Sequence, residues 1–288
     1  ITRYADNNGQ DPSDGNDFVA PKPTDFHNIG LSHYAGANGS VDISADNINA
    51  INELFADVNV GAGDPQEAGT FSEIEAVLVG NAARLDALAK IASYAEDNGD
   101  DLTTYPAPVA ADFVAAGVTG VSDTNNVADL LAVLSSSDNA SGYSDANTAA
   151  QLQDFVTQVA IAKIKAWTDT DGGNANPPIL QDYLNAKLEY FDNTVIEAAE
   201  VPGLNELFAG ALTAAGDADD FNEQQAVING SAGRLTALNK IAAYAVADPI
   251  PTDAALIPTV QDFQDAGVKG VGNGTDISTG SGDTVGSS

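Results

Sequence analysis

Cysteine and methionine are both absent from the 288 residues, and only ten lysines and arginines stand against 42 aspartates and glutamates. Without cysteine there is no disulfide framework, no thiolate metal ligand and no cysteine nucleophile. The formal net charge of -32 repels phosphate backbones, which argues against nucleic-acid binding. No apolar run approaches the ~20 residues of a membrane-spanning helix. The chain opens at Ile1 without a signal-peptide pattern, so it reads as a mature product or as a piece of a longer polypeptide.

Charged residues are only 18% of the chain, so its acidity reflects missing cations. Asp and Asn gather in glycine-containing loops: Asp6-Asn7-Asn8-Gly9, Glu96-Asp97-Asn98-Gly99-Asp100-Asp101 and Asp169-Thr170-Asp171-Gly172-Gly173-Asn174. Such a surface repels copies of itself at low salt, and high ionic strength screens the repulsion. Cys and Met are both oxidation targets, so their absence suits an oxidising exterior. The expected setting is extracellular or at the cell surface.

Internal repetition is the strongest signal. Lys90-Ile91-Ala92-Ser93-Tyr94-Ala95 returns as Lys240-Ile241-Ala242-Ala243-Tyr244-Ala245, and Asn52-Glu53-Leu54-Phe55-Ala56 returns unchanged at Asn205 to Ala209. The stretch Ala111 to Val121 returns at Gln261 to Val271 with the Asp-Phe-x-x-Ala-Gly-Val-x-Gly-Val core largely intact. Weaker copies are Lys163-Ile164-Lys165-Ala166-Trp167, Asp182-Tyr183, Ile1 to Ala5 and Asp25-Phe26.

One repeat reads as three helices. A capping box, Thr70-x-x-Glu73, opens the first. Phe71, Ile74, Leu78, Leu85, Leu88 and Ala92 then fall on one face, with a break or bend at Gly80 and an end near Tyr94. Pro106 and Pro108 precede a short helix carrying Phe113, closed by Gly117. The third helix runs from Asn125 to Leu134 and buries Val127, Leu130, Leu131 and Leu134. Thr259-x-x-Asp262 is a second capping pair. No alternating strand pattern of useful length is found. The expected fold is all-α, a tandem array of small three-helix-bundle repeats. Its segments are 1–62 (second and third helices), 63–140, 141–215 and 216–288 (first and second helices). Ser135 to Gly142 and the tail Gly270 to Ser288 read as linkers. The two ends are complementary parts of one repeat. The chain is then either cut from a longer repetitive protein or a unit whose end completes another copy's start.

The Asp-Phe-x-x-Ala-Gly-Val-x-Gly-Val run with its Asn-rich helix start resembles GA-like three-helix modules, found as tandem arrays in very large surface proteins of marine bacteria. The resemblance implies a three-helix fold and a place in a secreted, adhesin-like protein. Nothing matches the albumin-binding surface of such modules, so that activity is not carried over.

Few residues offer chemistry. Asp169-x-Asp171-Gly172-Gly173-Asn174 resembles the start of a calcium loop, but Leu180 occupies the twelfth position, where a bidentate Glu belongs. Loosely bound calcium in the acidic loops stays open, and no other cofactor is expected. His27 and His33 stand without a ligand cluster, and no nucleophile–base pair is apparent. Asn38, Asn139, Asn229 and Asn273 begin Asn-x-Ser/Thr triplets at about the frequency chance gives. Lys90 and Lys240 read as last-turn cations facing a helix dipole, with Arg84 and Arg234 structural. Tyr94, Trp167 and Tyr244 share one register, Phe113, Tyr183 and Phe263 another, and Phe55 and Phe208 a third. All are expected in the core. The expected function is that of a non-catalytic spacer or assembly unit of an extracellular filament or giant adhesin. Its partners would be copies of itself or adjacent repeats. The alternative is a binding module whose helix faces grip a host protein or glycan.

Overall fold

The computed structural model describes residues 1, 20–36, 39–57, 70–121, 124–136, 146–173, 176–210, 218–247 and 250–268. The Ile1 to Ala5 copy beyond its first residue, Asn38, Asn139, Asn174, Asn273 and most of both linkers therefore lie outside the described residues. The protein is mostly helical with a small two-stranded sheet, and packing divides it into two compact units, Ile1–Val159 and Ala160–Ser288.

In the first unit the order is α1 (Pro23–Asn28), β1 (His33–Gly36), β2 (Gly39–Asp42), α2 (Ile48–Asp57), α3 (Phe71–Gly80), α4 (Ala82–Glu96), α5 (Ala110–Ala115) and α6 (Thr124–Leu134). The helix α7 (Ala149–Asp169) follows, and the division between the units falls inside it. The second unit continues with α8 (Leu180–Asn185), α9 (Val201–Ala209), α10 (Phe221–Gly230), α11 (Ala232–Val246) and α12 (Val260–Asp265).

The antiparallel pair β1–β2, with Tyr34 opposite Val41, corrects the strand-free expectation. Four-residue strands are too short to show alternation, and packing selects them: α3 and α4 both lie against β1, where Tyr34 is buried. Among the described residues the second unit has one isolated antiparallel bridge, Glu189 to Val195, in the corresponding stretch.

The four short helices α1, α5, α8 and α12 are built alike. Each opens with an Asp at its third position, whose carboxylate accepts the N–H of the capping residue. The pairs are Lys22 to Asp25 (2.8 Å), Val109 to Asp112 (2.7 Å), Ile179 to Asp182 (2.7 Å) and Thr259 to Asp262 (2.6 Å). Each carries an aromatic directly after that Asp. Each closes with a residue at positive φ (Gly30, Gly117, Lys187, Gly267), after which the chain N–H returns to the carbonyl of the aromatic.

The long helices follow the sequence pattern. Thr70 and Glu73 exchange hydrogen bonds across the first turn of α3, and the chain breaks at Asn81, directly after Gly80. A matching break follows Gly230, whereas α7, with Gln153 at the corresponding position, runs unbroken. The core of the first unit combines Phe26, Leu31 and Tyr34 with Ile51 and Phe55 of α2 and with Leu78, Leu85, Leu88 and Ile91 of α3–α4. It also holds Phe113, Leu130, Leu134, Leu152 and Val156. The second core gathers Ile164, Tyr183, Leu188, Tyr190, Leu204, Phe208, Ile228 and Leu235.

Lys187 is the one C-terminal cap of the four with a side chain at positive φ (58°). That backbone region costs a non-glycine residue about 1 kcal/mol. Lys187→Gly should therefore raise stability by up to about 1 kcal/mol, less the unfolded-state entropy that glycine adds. Chemical denaturation of the two proteins side by side measures it.

Candidate functional site

Charge clamps recur at corresponding sequence positions. A lysine in the long helix reaches the capping Asp of the following short helix: Lys90 to Asp112 at 2.6 Å, Lys163 to Asp182 at 2.9 Å and Lys240 to Asp262 at 2.7 Å. One carboxylate thus satisfies a backbone N–H and an ammonium together. Lys90 and Lys240 lie above the last turn of α4 and α11, so the dipole reading is replaced by an ion pair.

A second clamp joins α2 to α4 and α9 to α11. Arg84 on α4 meets Glu53 on α2 at 3.4 Å, and Arg234 on α11 meets Glu206 on α9 at 3.2 Å. Glu53 also accepts the backbone N–H of Ala149 and of Ala150, each at 2.7 Å, where a negative charge suits the first turn of α7. The neighbouring asparagines repeat as well. Asn52 donates to the Pro21 carbonyl and Asn205 to the Pro178 carbonyl, both at 2.9 Å. The Trp167 indole donates to the Asn205 carbonyl at 2.8 Å.

The aromatics divide. Phe55, Tyr94, Phe113, Tyr183 and Phe208 are buried as expected, but Trp167, Tyr244 and Phe263 are only partly covered. Trp167 keeps its N–H at a carbonyl. Tyr244 and Phe263 belong to a face whose counterparts in the second repeat are sealed. Leu88, Ile91, Tyr94, Phe113 and Val118 are buried there, while Leu238, Ile241, Tyr244, Phe263 and Val268 are not. Val118 is 3% exposed and Val268 46%.

In the acidic loop that follows Glu96, carboxylates bond to the loop's own backbone. Asp101 accepts the N–H groups of Thr103 and Thr104 and the Thr104 hydroxyl, and that hydroxyl is the main reason its pKa falls below the ordinary value. In the candidate calcium loop Asp169 pairs with Lys165 at 3.2 Å. The N–H of Gly172, at φ 73°, bonds back to the Trp167 carbonyl. A Cβ on Gly172 would come within 2.8 Å of the Ala209 Cβ, so close packing as well as turn geometry requires glycine there. Among the described residues no three His, Asp or Glu side chains converge on a metal position.

His27 Nε2 lies 2.9 Å from the Ile43 carbonyl, which ties α1 to the end of the hairpin. At His33 the structure assembles what the sequence reading did not find: Ser32 Oγ is 2.6 Å from Nδ1, and Asp42 Oδ1 is 2.8 Å from Nε2. Ser32 adjoins His33, and strand register supplies Asp42. The imidazole and the carboxylate are 53% and 77% exposed, so water competes for every bond and the nucleophile gains little activation. Beside this chain a shallow cavity of about 400 Å³ is lined by Leu31, Tyr34, Glu75 and Leu78. The Tyr34 phenol, held there by burial and by the nearby Asp86 charge, is pushed up to about 12 and stays protonated at neutral pH.

Among family models, curated proteins and solved structures, none matches the chain. The resemblance to GA-like modules therefore rests on its motifs alone.

The clamp has a pH signature. Lys240, helped by the Thr259 N–H and hydroxyl, lowers the Asp262 pKa from 3.8 to about 2. A depressed folded-state pKa stabilises the fold above the unfolded value, so this contribution is complete above about pH 4 and fades as pH falls toward 2. Lys240→Gln should move the Asp262 carboxyl carbon titration upward, toward the ordinary value. Carbon-13 NMR of the side chain reads the shift directly.

Proposed function

We propose that the chain is an array of small three-helix repeats serving as a non-catalytic spacer or assembly unit of an extracellular filament or adhesin-like surface protein. The observation that carries this reading is the recurrence of both clamps at corresponding repeat positions. Each long helix is tied forward to its own short helix by a Lys–Asp pair. Two of them, α4 and α11, are tied back to the preceding repeat by an Arg–Glu pair. Repeats clamped to their neighbours in this way suit a spacer, whose units must stay in contact along the chain.

The composition supports the setting. A net charge of -32 keeps chains apart in dilute salt and permits close approach at high ionic strength, and no side chain carries a thiol or thioether. No described helix is long and apolar enough to cross a membrane. The GA-like resemblance belongs to the same proposal and adds tandem surface proteins as the kind of molecule concerned. Exposed aromatics also keep register: Phe71 and Phe221 open α3 and α10 at corresponding positions and are exposed to similar extents, which fits a repeated structural surface better than a single ligand site.

Negative-stain electron microscopy of the native protein at high salt tests the reading. Ordered filaments with an axial repeat of one chain length, or extended strings of linked beads, are the expected images. Compact, isolated globules at every salt concentration would contradict it.

A further inference from the structure

The last repeat presents an apolar face that the second repeat keeps covered. Burial along α11 is complete at Leu235 and Ala237 and then stops: Leu238, Ile241 and Tyr244 are partly open, and Ala245 and Val246 face solvent. Phe263 and Val268 continue the same surface, and none of these residues joins the core of the second unit. Ala266 is buried, so α12 is seated on α11 and the face is a formed surface rather than a frayed end.

The second repeat supplies the template for its occupant. There the corresponding residues Leu88, Ile91, Phe113 and Val118 share one core with Leu130 and Leu134 of α6 and with Leu152 and Val156 of α7. The helix α6 has the sequence Thr-Asn-Asn-Val-Ala-Asp-Leu-Leu-Ala-Val-Leu, with one carboxylate in eleven residues. So weakly charged a helix approaches a strongly acidic chain with little repulsion.

We propose that the α11–α12 face is a docking groove for the third helix of a repeat of this same type. The occupant is an amphipathic helix with aliphatic residues at the spacing of Val127, Leu130 and Leu134, entered after an Asn-rich start. It covers Ile241, Tyr244 and Val268, whose counterparts Ile91, Tyr94 and Val118 share one core with α6. The inference rests on the repeat reading above and is tested apart from filament formation. Peptide binding without filaments leaves it standing, and filaments without peptide binding overturn it alone.

The experiment titrates the full chain into a fluorescently labelled synthetic peptide of residues 120–136 and follows anisotropy. A saturable rise is expected, with a scrambled peptide giving none. Val268→Asp and Tyr244→Ala both alter open positions, so circular dichroism should show them folded. Val268→Asp should weaken binding at least about tenfold, because it places a charge in an apolar contact. A peptide carrying Leu130→Asp should not bind. Absence of saturable binding to the parent chain overturns the proposal, as does unchanged affinity in both folded variants.

Discussion

The constraint on which everything else depends is that the apolar seam of α3–α4 is buried only by packing against several other elements at once. The structure distributes the seam between neighbours. The first half of α3–α4 packs on the hairpin and on α2, and the second half packs on the short helix α5. The second unit repeats the arrangement, with α9 against α10 and α11 and then α11 against α12. Each half is worth several buried aliphatic side chains at ~1.5–3 kcal/mol apiece.

The scarce cations sit at these joints. Arg84, Lys90, Lys163, Lys165, Arg234 and Lys240, six of the ten lysines and arginines, make ion pairs among the described residues. Most of these pairs keep partial access to solvent and contribute about 1 kcal/mol each, so they position more than they stabilise. Lys163–Asp182 differs, because both side chains are largely buried and Asp182 also caps α8. Removing either partner there strands a charge and costs on the order of 3 kcal/mol. Electrostatics in this protein therefore sets which helix meets which, while burial supplies the free energy.

Much of the local structure was legible in the chain. Thr70 with Glu73, the break after Gly80, the cap at Gly117 and the third helix ending at Leu134 follow from backbone chemistry within a few residues, so sequence displays them. The hairpin did not show, because its four-residue strands are selected by the packing of Tyr34 against two later helices. The Lys–Asp clamps were half visible: the residues were seen to repeat, but their pairing spans 22 residues in two cases and depends on how the short helix folds back. Ser32, His33 and Asp42 come together only through strand register. Tyr244 and Phe263 were misjudged for the opposite reason. Their residue types and positions match buried counterparts, and only the packing of the last repeat reveals that nothing in the second core receives them.

Amide hydrogen exchange along the two matched helices of the intact chain tests the shared-seam account most directly. It predicts even, strong protection from Leu85 to Glu96 in α4. In α11 it predicts strong protection near Leu235 that falls away by Tyr244. Protection that stays as high through Tyr244 as through Tyr94 would contradict the claim that packing beyond the short partner helix, present at α4 and missing at α11, holds the second half of the seam.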